Sequence, residues 1–433
     1  MIKTIRFIVL VLIVCLVVTC RKKDKEDDCP LCPSVESLSP VSAKCYEKLT
    51  ISGRNFNVKT KENIVKINGV QIDADSILSG TETQLVVKVP RGCGTGPVTV
   101  DVDVELTHVG DAPTFNYIYR YEFADFGIPA ANPPSCIGGI KSNISNYIDP
   151  TGIVVDAFNN IYFTDQSHHC VFKLEGGTRD SCLFAGFPGN EGGTDGSGTQ
   201  ASFRYPGQMY INSSNTIYVS ENSTSIRAIS PSGTVSTYIT DTNLNYTTGI
   251  AFQPGTEIAY ASVLGDHIIT KIERKNGKLV ASIFAGARGQ GGYVDGIGTA
   301  ARFLNPQAIV VDNAGNVFVS DENNVIRKIT PSGVVSTLAG SGSPLFEDGL
   351  GKKASFNKPM GMFIDSDNSI YVADHNNNAI RKITPDGNVT TFFTFTAKMN
   401  APFPRGIAKD KSDNFFVTVT SNVGNGIKKL AKY

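Results

Sequence analysis

The chain has 433 residues, which is too long for one ordinary hydrophobic core, so two or more domains are expected. It contains 42 Gly and 21 Pro, and 41% of its residues are hydrophobic, a composition typical of a turn-rich globular protein rather than a disordered one. Lys plus Arg and Asp plus Glu each total 40, and this balance disfavours nucleic-acid binding.

The first twenty residues have the pattern of an export signal. Lys3 and Arg6 give it a basic start, and an apolar run broken only by Arg6 continues to Val18, too short for a comfortable membrane span. The run ends in Leu16-Val17-Val18-Thr19-Cys20, which resembles a bacterial lipobox. The resemblance implies that 1–20 is a lipoprotein signal peptide and that Cys20 is lipidated. A signal cleaved elsewhere and an uncleaved anchor are the alternatives.

A charged tether, 21–33, follows the signal. Its sequence Lys25-Glu26-Asp27-Asp28 resembles the acidic signal that directs Bacteroidota-type lipoproteins to the outer face of the outer membrane. A plain spacer is the alternative reading. The resemblance implies a protein that is lipid-anchored in the outer membrane and faces the cell exterior, either as a monomer or as a subunit of an outer-membrane complex.

Residues 34–119 predict a small β-sandwich, because short alternating or β-branched runs are separated by Gly, Asn and Pro. Four segments carry the signal: Val35-Glu36-Ser37-Leu38-Ser39-Pro40, Leu49-Thr50-Ile51-Ser52-Gly53-Arg54-Asn55-Phe56, Val65-Lys66-Ile67-Asn68-Gly69-Val70 and Gly96-Pro97-Val98-Thr99-Val100. They resemble the immunoglobulin-like IPT/TIG family, whose domains usually act as spacers or protein contacts.

From about residue 150 a unit recurs, and such a repeat decides the fold. Its six openings begin at residues 150, 206, 247, 306, 359 and 404, and each is followed by further short strands. Four strands in each of six repeats predict an all-β, six-bladed β-propeller over 120–433. The repeats resemble the NHL family, and three connectors strengthen the likeness: Asp195-Gly196-Ser197-Gly198, Asp295-Gly296-Ile297-Gly298 and Asp348-Gly349-Leu350-Gly351.

The sixth repeat stops after its third strand, because the chain ends at Tyr433. An open ring would leave an unpaired strand edge, which proteins usually avoid by closure. Tyr121 to Gly127 aligns with the fourth strand of another repeat, so we expect the segment 121–127 to close the ring.

Nine cysteines in a chain with an export signal indicate an oxidising compartment. Cys170 and Cys182 are predicted to face each other on adjacent strands of the first repeat and to form a disulfide. Cys45 and Cys93 are a second candidate pair. Cys29, Cys32 and Cys136 remain, and a local Cys29–Cys32 bridge and a bridge to Cys136 both stay open.

Some NHL-like propellers are metal-dependent enzymes, and such a site needs His or carboxylate side chains from several repeats that converge on the channel. One repeat position holds His169, Thr224, His267, Asn324, Asn378 and Asn425, which favours a turn residue over a zinc site. A second holds the acids Asp165, Glu221, Asp321 and Asp374, and its repetition favours a structural role over calcium. We therefore expect no cofactor, with Ca or Zn in the channel as the alternative.

The long connectors between repeats carry the aromatic residues Phe187, Tyr293 and Phe346, which are candidates for ligand binding, with packing as the alternative role. The sequence thus favours a non-catalytic cell-surface lipoprotein whose propeller binds a polymer, such as a glycan, or a surface protein. A metal-dependent lyase or hydrolase with its site in the channel, and a structural adhesin or complex subunit, are the alternatives.

Overall fold

The computed structural model describes residues 34–44, 47–57, 63–68, 70–89, 96–101, 114–118, 121–126, 128–129, 149–176, 180–395, 402–421 and 425–432. The chain divides into two compact units, Met1–Tyr121 with Lys432–Tyr433, and Glu122–Ala431. Among the described residues, no helix is both long enough and apolar enough to cross a membrane. The predicted signal peptide with Cys20 and the tether 21–33 lie outside the described residues.

The first unit is a β-sandwich. Its strands are β1 Ser34–Ser39, β2 Ser42–Lys44, β3 Lys48–Arg54, β4 Ile64–Ile67, β5 Val70–Gln71, β6 Ile77–Gly80, β7 Gln84–Lys88, β8 Gly96–Asp101 and β9 Thr114–Ile118, with a 3-10 turn at Ala74–Ser76. One sheet has the order β1-β3-β7-β6 and the other β2-β9-β8-β4-β5. Burial alternates along β3, so Leu49 and Ile51 enter the core and meet Val65 and Ile67 from the other sheet.

The second unit is a six-bladed β-propeller. In blades one to three the strands are β12 Pro150–Val155, β13 Ile161–Asp165, β14 Cys170–Leu174 and β15 Asp180–Ala185; β17 Pro206–Ile211, β18 Ile217–Glu221, β19 Ser225–Ile229 and β20 Thr234–Thr240; β21 Thr247–Phe252, β22 Ala259–Val263, β23 Ile268–Lys275 and β24 Lys278–Ala285. In blades four to six they are β26 Ile309–Val311, β27 Val317–Asp321, β28 Val325–Ile329 and β29 Val334–Ala339; β31 Pro359–Ile364, β32 Ile370–Asp374, β33 Ala379–Ile383 and β34 Asn388–Thr394; β35 Phe403–Lys409, β36 Phe415–Thr420, β37 Gly426–Lys432 and β10 Tyr121–Phe126.

The six blades form a closed ring. The first strand of each blade is innermost and packs against the innermost strands on both sides, with β35 of blade six beside β12 of blade one. The sheet of blade six has the order β10-β37-β36-β35, so β10 supplies its outer strand from a segment that precedes the repeats. The innermost strands surround a central channel.

The connectors add a short strand to the outer edge of the blade that follows. β16 Gly196–Ser197, β25 Gly296–Ile297 and β30 Gly349–Leu350 pair with β20, β29 and β34, and β11 Ile128–Pro129 pairs with β15. Short 3-10 turns follow the first three at Gly198–Gln200, Gly298–Ala300 and Gly351–Lys353, and others lie at Thr242–Leu244 and His375–Asn377. The Asp-Gly-x-Gly motif therefore marks a segment that covers an exposed strand edge.

Hydroxyl groups link five of the six blades to the next blade around the channel. The fourth residue of the second strand is Thr164, Ser220, Ser262, Ser320 or Thr418 in those five blades and Ala373 in blade five. In blade six, the Thr418 hydroxyl accepts the Gly406 N–H at 2.8 Å and donates to the Thr151 carbonyl of blade one at 2.7 Å. This hydroxyl thus joins the last repeat to the first.

Candidate functional site

Three buried arginines organise blades two, four and five. Arg227, Arg327 and Arg381 lie on the third strands, and their side chains are fully buried. In blade four, Arg327 donates to Asp321 at 3.4 Å and to Asp295 of the preceding connector at 2.7 Å. It also donates to the carbonyls of Arg302 and Val294 at 2.8 and 3.0 Å. We call each such arginine, with its two acids and two carbonyls, an arginine clasp.

The clasps explain the repeated acids at the ends of the second strands. Glu221, Asp321 and Asp374 each accept from the clasp arginine of their own blade, at 3.4, 3.4 and 3.0 Å. Asp165 of blade one instead contacts Nδ1 of His168 at 2.8 Å. Burial raises the pKa of Glu221 to about 7 and that of Asp321 to about 6, and the arginines oppose this rise. These carboxylates face arginine or histidine within the blades.

The acids and imidazoles at these repeat positions are also the candidate metal ligands of the propeller. The described part of the chain contains no group of three or more His, Cys, Asp or Glu side chains that could hold a metal ion. His375 contacts the Pro404 carbonyl through Nδ1 at 3.0 Å, and burial lowers the pKa of its imidazole. His169 and its repeat counterpart His267 accept backbone hydrogen bonds through Nδ1.

Two of the three connector aromatics cover clasp arginines. The guanidinium of Arg327 lies 5.2 Å from the centre of the Tyr293 ring, and that of Arg381 lies 4.8 Å from the centre of the Phe346 ring. Phe187 is 52% exposed and lies in the connector between blades one and two. The three aromatics belong to three different connectors, and two of them have the packing role that the sequence left open.

The predicted Cys170–Cys182 disulfide is wrong. Cys170 is a free, buried thiol, whereas Cys182 is disulfide-bonded to another residue. The register of the hairpin gives the reason: Cys182 lies opposite Lys173, while Cys170 lies opposite Asp165 on its other side. The Cys170 thiol donates to the His168 carbonyl at 3.2 Å. Cys20, Cys29, Cys32, Cys45, Cys93 and Cys136 lie outside the described residues.

The side chains at the repeat position of His169 and His267 hold the backbone of the segment that leads into the next blade. Nδ1 of His169 accepts the N–H of Tyr205 at 3.2 Å, and Nδ1 of His267 accepts that of Asn305 at 3.1 Å. Asn324 does the same through Oδ1 for the N–H of Lys358 at 2.9 Å. The structural role favoured by the sequence is therefore present, but it acts between blades rather than within one turn.

The residues fixed in this way, together with Tyr246 of blade three, stand at the end of the channel where the innermost strands begin, which we call the polar mouth. Tyr205, Tyr246, Asn305 and Lys358 each immediately precede the first residue of a repeat, with φ of 45°, 63°, 44° and 56°. A left-handed backbone is unfavourable for tyrosine and lysine, and residues held in it cluster at functional sites. We call these four the platform residues. Sequence reasoning missed them, since a change of residue type at a repeat position carries no periodic signal.

A hydrogen-bonded polar group adjoins the platform on blade four. Glu322 accepts from the Asn305 amide at 2.8 Å and from the Gln307 amide at 3.0 Å. Across the channel, Arg405 of blade six pairs with Asp149 of blade one, and burial lowers the pKa of Arg405 to about 10. The polar mouth thus combines aromatic, amide and paired charged groups, which suits a polar ligand with an apolar face.

The opposite end of the channel is apolar. A cavity of about 280 Å³ lies where the innermost strands end, and its lining includes Val155, Ile211, Phe252, Ile364 and Lys409. The Lys409 ammonium is held by Asp365 at 2.6 Å and Asp413 at 2.9 Å. The two ends of one channel therefore differ in chemistry.

Comparison with known proteins agrees with both units. Residues 33–117 match the IPT/TIG domain. A structural genomics protein of unknown function from Bacteroides thetaiotaomicron has the same fold, with a TM-score of 0.57, 18% identity, and coverage of 94% of this chain and 99% of that one. An auxiliary nutrient binding protein from Bacteroides ovatus gives a TM-score of 0.55 at 15% identity, over 93% and 98% of the two chains.

A curated relative matches a smaller region. The Arabidopsis thaliana protein SUPPRESSOR OF QUENCHING 1, chloroplastic, is 24% identical over 312 residues. The match covers 63% of this chain and 29% of the plant protein. At these identities the comparisons establish a shared fold: the IPT/TIG match covers residues 33–117, and the two Bacteroides structures share the fold over more than nine-tenths of the chain.

Proposed function

We propose that this protein is a non-catalytic binding protein, anchored at the outer face of the outer membrane through lipidated Cys20, whose propeller binds a glycan polymer. The observation that carries the proposal is the platform. The same left-handed backbone conformation carries tyrosine, tyrosine, asparagine and lysine in four successive blades. Equivalent positions around one channel mouth therefore have different side chains, as in binding sites built on a rigid scaffold. The shared fold with the auxiliary nutrient binding protein supports this role.

The exposed aromatic residues favour a glycan over other polymers. Tyr205 and Tyr246 are each 39% exposed, and a tyrosine ring offers rigid apolar area with a polar tip. Sugar rings have apolar C–H faces and hydroxyl edges. The faces match these rings, and the edges match the Glu322 carboxylate with the Asn305 and Gln307 amides that it holds, which we call the Glu322 group. A protein partner, as in a structural adhesin, is the competing outcome.

Binding and catalysis are separated by one experiment on the mature chain. Residues 21–433 are tested by isothermal titration against a panel of soluble polysaccharides, with and without EDTA, and the recovered polysaccharide is sized by chromatography. We expect saturable binding that EDTA leaves unchanged, with no shortening of the polymer. Degradation that stops with EDTA, together with a stoichiometric divalent ion in the protein, would establish the enzyme alternative.

Anchoring is tested in cells of a Bacteroidota host. The wild-type chain should incorporate radiolabelled palmitate and be cleaved by protease added outside the cells. Cys20→Ala should abolish the label, whereas Cys15→Ala, five residues earlier in the signal, should keep it. Label in the Cys20→Ala protein, or full protection from external protease, would contradict the proposed anchor or its orientation.

A further inference from the structure

We infer that the polar mouth is the glycan site and that it selects a neutral chain of at least two consecutive pyranose units, which stack on Tyr205 and Tyr246 and hydrogen-bond to the Glu322 group. This inference rests on the proposed function and names its site and ligand class. Nothing in the sequence pattern assigned a role to these residues.

The two tyrosines are placed for successive sugar units. Tyr205 precedes β17 and Tyr246 precedes β21, and these innermost strands of blades two and three pack side by side. The two side chains therefore occupy equivalent positions one blade apart at the same mouth. In the described part of the chain neither hydroxyl group makes a hydrogen bond, so both remain available to sugar hydroxyls.

The platform is rigid before any ligand arrives. The N–H of Tyr205 is held by His169, whose imidazole also packs edge-on against the Tyr205 ring at 4.6 Å between centres. The N–H of Tyr246 is held by the Ser223 carbonyl at 3.1 Å, and its carbonyl accepts the Leu264 N–H at 3.0 Å. Preorganised groups bind without the ordering cost of a mobile loop. The left-handed backbone of Tyr246 is thus held by hydrogen bonds at both its N–H and its carbonyl, which fixes where its side chain leaves the backbone.

Blade four supplies planar hydrogen-bonding groups beside the tyrosines. Both carboxylate oxygens of Glu322 accept an amide N–H, one from Asn305 and one from Gln307, and this fixes the orientation of both amides. Each amide then keeps its carbonyl oxygen and one N–H for a ligand. Planar groups of fixed orientation recognise the direction of vicinal hydroxyl groups, which is the feature that distinguishes one sugar from another.

The charges at the mouth favour a neutral ligand. Arg405 pairs with Asp149, Arg204 pairs with Glu191, and Arg288 pairs with Asp266. Lys358 is an exposed cation on blade five, and Glu322 is a carboxylate on the adjacent blade four. Neither positive nor negative charge therefore dominates the mouth. An acidic polysaccharide would meet the Glu322 carboxylate as well as Lys358.

The test uses glycine, because glycine relieves the left-handed backbone while removing the ring. Tyr205→Gly and Tyr246→Gly are compared with Phe158→Ala by titration with a neutral polysaccharide that the wild type binds. Phe158 is 74% exposed and lies in the turn between β12 and β13, at the other end of the channel. We expect each glycine variant to lose about tenfold in affinity and to keep or exceed the wild-type Tm. Phe158→Ala should bind as the wild type does.

A second measurement tests the ligand class. The wild type should bind a uronic-acid polymer more weakly than a neutral polysaccharide of the same length. Unchanged affinity in both glycine variants, loss of binding in Phe158→Ala, or preference for the acidic polymer would overturn the inference while the proposed function stood. Failure of the wild type to bind any polysaccharide would remove both.

Discussion

At the scale of single residues, the most consequential side chains are the clasp arginines. Each guanidinium is fully buried and joins a connector to two strands, because it reaches an acid on the second strand and an acid of the preceding connector. The ring of Phe303 also lies 4.9 Å from the Arg327 guanidinium, on one of its faces. Removing such a cation leaves a buried carboxylate without its partner, which costs more than the pair itself contributes.

Arg327→Met should therefore destabilise the propeller by about 3 kcal/mol, with a fall in Tm on the order of 5 °C, since Asp321 stays buried without its guanidinium. The measurement is thermal unfolding followed by circular dichroism. Lys328→Met changes the next residue in the same way, but Lys328 is only half-buried and makes no salt bridge among the described residues. It should cost about 1 kcal/mol or less, and equal losses in the two variants would refute the clasp.

His169 gives a prediction about pH. Burial lowers the pKa of His169, while Glu191 and Asp165 raise it and His168 lowers it. The folded state thus binds this proton more weakly than the unfolded chain, so the stabilisation is present above pH 6.5 and is lost as the pH falls. Protonation would also place a hydrogen on Nδ1, which now accepts the Tyr205 N–H.

His169→Asn isolates this effect, because Asn324 already holds the equivalent N–H on blade four without titrating. The two proteins should have similar Tm values at pH 8, and the wild type should lose more on going to pH 5. Parallel pH profiles would show that His169 has no linked proton. The other titrating groups, including Glu221 and Asp321, are common to both proteins and cancel in the difference.

At the scale of elements, the sequence predicted which segments form strands but not their register. The repeat openings and the Asp-Gly-x-Gly motifs each mark a real element, because hydrophobic spacing and glycine positions are local signals. The Cys170–Cys182 pairing depended instead on how β14 aligns with β15, and the observed alignment puts Lys173, three residues after Cys170, opposite Cys182. The arginine clasps escaped prediction because they join residues more than 30 positions apart.

The cysteine register is checked by alkylation. Wild-type protein unfolded in guanidinium without a reductant should react with iodoacetamide at Cys170 and not at Cys182, because Cys170 is a free thiol and Cys182 is disulfide-bonded. Peptide mass spectrometry gives the answer for each site. Prior reduction should label both, which serves as the control. Protection of Cys170 without reductant would restore the original pairing.

At the scale of the whole molecule, the number of repeats was enough to predict a six-bladed propeller and its closure. The sixth repeat supplies only three strands, so its sheet requires a fourth strand from elsewhere in the chain. β10 occupies the outer position of that sheet beside β37. The platform could not be predicted in the same way. Its residues are defined by what differs between blades, and a repeat alignment reports only what they share. Fold followed from the repetition, whereas the candidate site needed the backbone angles.

The hydroxyl contacts between blades give the last prediction. The Thr418 hydroxyl joins the last repeat to the first, and a Cβ on neighbouring Gly406 would lie 2.3 Å from the Thr151 carbonyl, so the blades approach closely there. Thr418→Val keeps the shape but leaves the Gly406 N–H and the Thr151 carbonyl without this partner, at a cost of about 1–3 kcal/mol. Blade five has the natural counterpart, since Ala373 lacks the hydroxyl.

Ala373→Ser should therefore stabilise the ring by about 1 kcal/mol. The new hydroxyl would occupy the position in blade five that is equivalent to Ser320 in blade four, and Ser320 donates to the Met360 carbonyl of the next blade. Both changes are measured by thermal unfolding against the same wild type. Opposite signs are expected, since one removes and the other restores the same contact between adjacent blades. A loss of stability in both variants would mean that packing around the channel, rather than the hydroxyl, determines how the blades are joined.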